Sequence, residues 1–135
     1  MGFAKKIDHV AIAVKDLDAA VQTFTRNFGF PVERGDVPQL DMHLAYLTIG
    51  DASVELFQPT SDENPAKKFL DERGEGMYLL SLEVEQLSEV AEQLEKKGIK
   101  VSVTTFDEGT KIGMISPKLT HGVLLQLMEH PRRDS

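Results

Sequence analysis

The sequence predicts an α+β fold: two βαβββ modules forming a curled mixed sheet around a cleft. Three observations carry that expectation. The first is an internal repeat. Residues 7–32 align with 77–101 at an offset of 70, so that Val14 meets Val84, Leu17 meets Leu87, Ala20 meets Val90, Val21 meets Ala91 and Phe24 meets Leu94. One residue is then deleted, and Gly29 meets Gly98 while Val32 meets Val101. The second is the change of apolar period within each copy, from two in the strands to about 3.6 in the helix. The third is size: 135 residues make one domain with a sizeable core. The single domain 1–135 is expected to hold module one at about 6–58, a short linking helix at about 64–73 and module two at about 77–130.

The elements follow in order. Val10, Ile12 and Val14 alternate as a half-buried strand, and Asp16 stands where a helix N-cap is needed. Leu17, Ala20, Val21, Phe24 and Phe28 form a helical stripe that Gly29 ends. LAYLTIG and SVELFQ flank Gly50-Asp51, which suits a tight hairpin turn. That turn sets Tyr46 across from Glu55 and Leu44 across from Phe57. Asn64 as cap, Pro65 at the first helical position and Gly74 as stop mark the linking helix. In the second copy Tyr78, Leu80, Leu82 and Val84 read as strand, and positions 87, 90, 91 and 94 as helix up to Gly98. KIGMIS and GVLLQLME flank the longer connection PKLTH, and aligning SVELFQP with LLQLMEHP puts Glu55 opposite Gln126 and Phe57 opposite Met128.

Composition removes whole classes of chemistry. There is no cysteine, so disulfides, zinc–thiolate sites, iron–sulfur clusters and thiol nucleophiles are excluded. The net charge of −7 argues against general nucleic-acid binding. No apolar run is long enough to span a membrane, and the start, MGFAKKID, lacks a secretory apolar stretch, so a cytoplasmic protein is expected. No P-loop, Gly-rich phosphate loop or serine nucleophile elbow is present. Chemistry therefore falls to four histidines, carboxylates, amides and hydroxyls.

Strand parity sorts these groups. Val10, Ile12 and Val14, with Leu56, Leu82 and Leu127, belong to the faces that cover the helices. The other parity carries His9, Glu55 and Gln126 among Leu44, Tyr46, Phe57, Leu79 and Met128. A few polar groups on apolar walls suit a cleft for a small, rather apolar molecule; the plainer alternative is the wet face of an antiparallel sheet. His9 and Glu55 can form an acid–base dyad or a structural pair. Tyr46 can offer its hydroxyl to a substrate or pack on Phe57, and Gln126 can orient a carbonyl or amide. His43, His121 and His130 fall at strand ends or in a turn, where exposure is expected.

Paired βαβββ modules that open on IDHVAIAV resemble the vicinal-oxygen-chelate superfamily, which holds glyoxalase I, extradiol dioxygenases, antibiotic-resistance proteins and methylmalonyl-CoA epimerase. The methylmalonyl-CoA epimerases are most similar, through IDHVAIAVKDLDAAVQTF, VELFQPTSDENPAKKFLDERGEGM, SPK and GVLLQL. The resemblance implies four metal ligands, one from each of four strands. Two positions keep a ligand type, His9 and Glu55. The other two do not: the segment GMYLL places Leu79 where the family has a histidine, and Gln126 stands in place of a glutamate. The third-strand catalytic carboxylate falls near Leu44. The repeat shows the same asymmetry, since His9 pairs with Leu79 and Glu55 with Gln126.

The expectation is therefore an epimerase-like or glyoxalase-like enzyme, an isomerase or lyase. It transfers protons on a small molecule such as an acyl thioester, with His9 and Glu55 as the catalytic residues. Leu44, Tyr46, Phe57, Leu79, Gln126 and Met128 are the expected substrate contacts. No cofactor is assigned; a weakly held divalent metal would fall to His9, Glu55 and Gln126. The alternative is a non-catalytic small-molecule binding or resistance protein using the same cleft. Lysine pairs at 5–6, 67–68 and 96–97 can either reach a coenzyme A handle or line solvated faces. The remaining expectations are a homodimer through strand edges, as relatives assemble, and no nucleic-acid or membrane partner.

Overall fold

The computed structural model describes residues 2–131. The chain divides into two compact units: His9–Tyr78, and the residues up to Asp8 together with those from Leu79 onward. The first unit begins in β1 (Ala4–Ala13) and continues through α1 (Leu17–Gln22), with Asp16 accepting a hydrogen bond from the Ala19 amide at 3.1 Å as the expected N-cap. After Gln22 the helix departs from the predicted stripe and widens into a π-type turn, Thr23–Asn27. The Thr23 and Thr25 hydroxyls donate to the carbonyls of Ala19 and Val21 at 3.1 and 2.8 Å, a competition that bends helices. The extra residue per turn swings Phe28 off the core face. It is 60% exposed, tilted against Phe24 and Phe30. Gly29, at φ +73°, then ends the helix as expected.

Next come β2 (Glu33–Arg34), a 3₁₀ turn (Pro38–Leu40), β3 (Met42–Ile49) and β4 (Ala52–Pro59). Gly50, at φ +61°, makes the two-residue turn, and the register is the expected one: Tyr46 pairs with Glu55 and Leu44 with Phe57. β1 lies parallel to β4, giving the order β2-β3-β4-β1. The linking helix α2 (Pro65–Arg73) is capped by Asn64, whose Oδ1 accepts from the Ala66 amide at 2.9 Å while its Nδ2 donates to the Leu40 carbonyl at 2.8 Å. One side chain thus caps a helix and fastens it to the turn before β3.

The other unit repeats the plan with β5 (Gly76–Val84), α3 (Leu87–Lys96), β6 (Ser102–Thr105), β7 (Lys111–Ile115), a 3₁₀ turn (Pro117–Leu119) and β8 (Leu125–Glu129). Its strand order is β5-β8-β7-β6, with β5 parallel to β8 and the other pairs antiparallel. Each unit has its own apolar cluster. Val14, Leu17, Ala45 and Leu56 form one; Val84, Leu87, Val101, Ile115 and Leu127 anchor the other. Repeat mates Val14/Val84 and Leu17/Leu87 occupy matching places.

The repeat also extends to a polar device. The Leu17 amide donates to Gln58 Oε1 at 2.9 Å, and the Leu87 amide donates to Glu129 Oε1 at 2.7 Å. Gln58 and Glu129 are themselves repeat mates at the ends of β4 and β8. Each satisfies an amide that the helix start leaves without an intrahelical partner, and ties helix to sheet. Among the described residues, no helix is long and apolar enough to cross a membrane.

Candidate functional site

Within the His9–Tyr78 unit, parallel pairing sets Ala11 beside Glu55, which leaves His9 one step along the same face of β1. Their side chains meet diagonally, with His9 Nε2 3.4 Å from Glu55 Oε2. His9 is buried at 5% exposure, while the Glu55 side chain keeps 18%. Partial burial strengthens an interaction that water would screen. An imidazole and a carboxylate that face each other and retain one opening can hold and pass a proton.

The neighbours on this face are those expected, with partners that sequence reasoning missed. The Tyr46 hydroxyl donates to Glu33 on β2 at 2.8 Å. That bond, and then the charge of Glu33, push the phenol above its ordinary range. Phe57 is buried and meets the Tyr78 ring edge-on at 5.5 Å; Tyr78 meets Phe69 at 5.2 Å in the same way. Burial pushes the Tyr78 hydroxyl up as well. Leu44 follows Tyr46 on the same face, directly across from Phe57. It gives the third-strand position a hydrocarbon wall in place of an acid.

In the other unit Leu79 and Ser81 share one face of β5, and Ser81 pairs with Gln126 of β8, two residues before Met128. Ser81 and Gln126 are both buried, and Gln126 Nε2 donates to Ser81 Oγ at 3.0 Å. The repeat makes the contrast plain. Ser81 is the mate of Ala11 and Gln126 that of Glu55, so the second copy joins neutral partners directly across the strands. The first copy instead joins ionisable ones on the diagonal. Ser81 is absent from the expected site residues; its signal in the alignment is a hydroxyl where the mate Ala11 has none.

The donor set at the four repeat-equivalent positions is an imidazole, a carboxylate, a neutral amide and a hydrocarbon, from His9, Glu55, Gln126 and Leu79. Gln126 has only its weakly basic, neutral carbonyl oxygen to offer a metal, and its amide group is held by Ser81. Such a set does not fit the four-ligand metal centre that the resemblance implies.

The other histidines are exposed, as expected. His43 Nδ1 lies 3.2 Å from Asp36, and His130 Nε2 lies 2.5 Å from Asp8 and 3.7 Å from Glu83. Lys67, Lys68 and Lys96 pair with Asp71, Glu72 and Glu92 four residues away on their own helices. Solvated helix faces account for these lysines.

The profile of the glyoxalase/bleomycin resistance protein/dioxygenase superfamily matches residues 8–115. Human mitochondrial methylmalonyl-CoA epimerase is 29% identical over 131 residues, covering 90% of this chain and 72% of that protein. Among solved structures, methylmalonyl-CoA epimerase from Mycobacterium tuberculosis superposes with a TM-score of 0.87 at 27% identity, over 98% of this chain and 92% of that one. A Streptomyces coelicolor methylmalonyl-CoA epimerase variant in complex with 2-nitronate-propionyl-CoA gives 0.85 at 27% identity, over 96% and 99% of the two chains. The mixed α+β arrangement of each unit thus has its counterpart among epimerase folds.

Proposed function

The chain belongs to the glyoxalase/bleomycin resistance protein/dioxygenase superfamily, and on that premise we propose that it is an epimerase-like enzyme that exchanges the proton alpha to an acyl-CoA thioester. The observation that carries this reading is the half-enclosed His9–Glu55 pair, at 3.4 Å, on a sheet face otherwise walled by Leu44 and Phe57. The acyl-CoA class is suggested by relatives that are methylmalonyl-CoA epimerases and by one that holds 2-nitronate-propionyl-CoA. Glu55 takes the α-proton, the electron pair moves onto the thioester oxygen as an enolate, and the carbon recovers a proton from the pair. His9 orients the carboxylate, and Glu55, the more exposed of the two, exchanges the proton with solvent. Leu44 offers no acid for the opposite face of the enolate. Exchange should therefore outrun inversion of configuration.

The experiment is solvent-deuterium incorporation at the α-carbon of methylmalonyl-CoA and propionyl-CoA, read by mass spectrometry beside the stereochemical outcome. The expected result is incorporation by the natural protein that exceeds inversion and falls by at least about 100-fold in Glu55→Gln and in His9→Ala. Incorporation that survives both substitutions overturns the assignment. The apolar side chains Leu44 and Phe57 beside the pair favour a second reading, binding without turnover. That reading is supported if apolar ligands raise the melting temperature and no exchange is detected.

A further inference from the structure

A second cluster of ligand-type side chains stands apart from the His9–Glu55 pair. One oxygen each of Asp8 and Glu83 and a ring nitrogen of His130 all lie within 4.8 Å of one another. Asp8 comes from β1, Glu83 from β5, and His130 from the position just beyond β8. We propose that these three side chains bind a divalent transition-metal ion of the zinc or cobalt kind, independently of the reaction proposed above.

Geometry is the first argument. Bonds of about 2.0–2.2 Å in tetrahedral or octahedral arrangement set neighbouring ligand atoms roughly 3.0–3.5 Å apart. His130 Nε2 stands 2.5 Å from Asp8 Oδ1 and 3.7 Å from Glu83 Oε1, on either side of that span. With the three ligand atoms within 4.8 Å of one another, side-chain rotations that even out these spacings are needed to seat an ion.

The donor set is the second. Two carboxylates and an imidazole suit zinc, cobalt or manganese, whereas magnesium and calcium prefer oxygen alone. The two carboxylates bring negative charge that a divalent ion offsets, beyond what Lys5, 3.8 Å from Glu83 Oε2, supplies.

Burial and space are the third. The Asp8 and Glu83 side chains are 13% and 20% exposed, so their charges are largely withdrawn from water, while His130 at 45% leaves a way in. A cavity of about 380 Å³ lined by Lys5, Glu83, Glu85, Gln86, His130 and Pro131 opens beside the trio, with room for water to complete the coordination. Lys5 does not take the proposed position. Its Nζ lies 3.8 Å from the other oxygen of Glu83, Oε2, and 3.4 Å from Glu85.

The repeat sets this trio apart from the candidate active site. The mates of Asp8, Glu83 and His130 are Tyr78, Ala13 and Pro59, of which only the phenol is even a weak ligand type. The cluster is thus particular to one copy and is not an echo of the His9 position.

The test uses the full chain, titrated with Zn²⁺ against a chromogenic chelator and with Co²⁺ by visible absorption, with circular dichroism to verify the fold of each variant. One equivalent of Zn²⁺ should bind at micromolar or tighter concentration. Affinity should fall about tenfold or more in His130→Ala, Asp8→Asn and Glu83→Gln, and persist in His9→Ala. Saturating Zn²⁺ should raise the melting temperature by on the order of 5 °C in the natural protein and not in His130→Ala. Binding no tighter than millimolar, affinity unchanged by His130→Ala, or affinity lost only in His9→Ala overturns the site.

Discussion

Two side chains decide what each copy of the repeat can do. His9 and Glu55 bring ionisable groups to 3.4 Å, while Gln126 and Ser81 join a neutral amide to a neutral hydroxyl at 3.0 Å. The neutral pair is buried, with Ser81 at 0% exposure and Gln126 at 6%, so the Gln126 amide depends on the Ser81 hydroxyl as its acceptor. Ser81→Ala should cost about 1–3 kcal/mol in urea unfolding, because the Gln126 amide loses its buried acceptor. Adding Gln126→Leu to Ser81→Ala should recover much of that loss, since an apolar pair needs no partner. Tyr78 makes a pH-dependent statement at the same scale. Burial raises its folded pKa above the unfolded value near 10, so its contribution is complete below about pH 10 and is lost as pH rises through the folded pKa. Tyr78→Phe should therefore move the alkaline unfolding midpoint upward. A midpoint unmoved or lowered would show that the phenol is not what titrates.

Elements were legible where their signals are local. Asp16, Asn64, Gly29 and the Gly50-Asp51 turn act within a few residues of themselves, and each stands where the sequence placed it. The hairpin turn also fixed the register, because a two-residue loop leaves no other pairing of β3 with β4. The π-type turn was not legible, because it arises from two threonine hydroxyls competing for carbonyls within a pattern that still reads as helix. The acceptors Gln58 and Glu129 lie 41 and 42 residues from the amides they receive, a distance that periodicity does not cross. Two substitutions test this level by denaturation. Asn64→Ala removes both the cap and the tether to Leu40, and should cost about 1–2 kcal/mol. Gly113→Ala should cost a further about 1–3 kcal/mol by overpacking, because a methyl there would sit 2.7 Å from Val101 Cγ1 and 3.2 Å from Leu87 Cδ1.

Across the whole molecule, a duplicated framework carries unequal chemistry. The cores share the mates Val14/Val84, Leu17/Leu87 and Leu56/Leu127, and the helix-start acceptors repeat too, yet only the first copy keeps ionisable partners at the repeat-equivalent positions. The repeat made the framework readable, and strand parity made His9, Glu55, Leu44 and Phe57 readable as neighbours on one face. Glu33 against Tyr46, and Asp8 and Glu83 against His130, could not be read in that way. Their side chains come from separate strands or strand ends, and no shared period links them. In the proposed reaction His9 and Glu55 carry α-proton transfer without the four-ligand metal centre that the resemblance implies. The most direct test measures deuterium incorporation into methylmalonyl-CoA before and after exhaustive chelation, in the natural protein and in Glu55→Gln. Incorporation should survive chelation and be lost in Glu55→Gln. Loss on chelation with recovery on added metal, or full activity in Glu55→Gln, would contradict it.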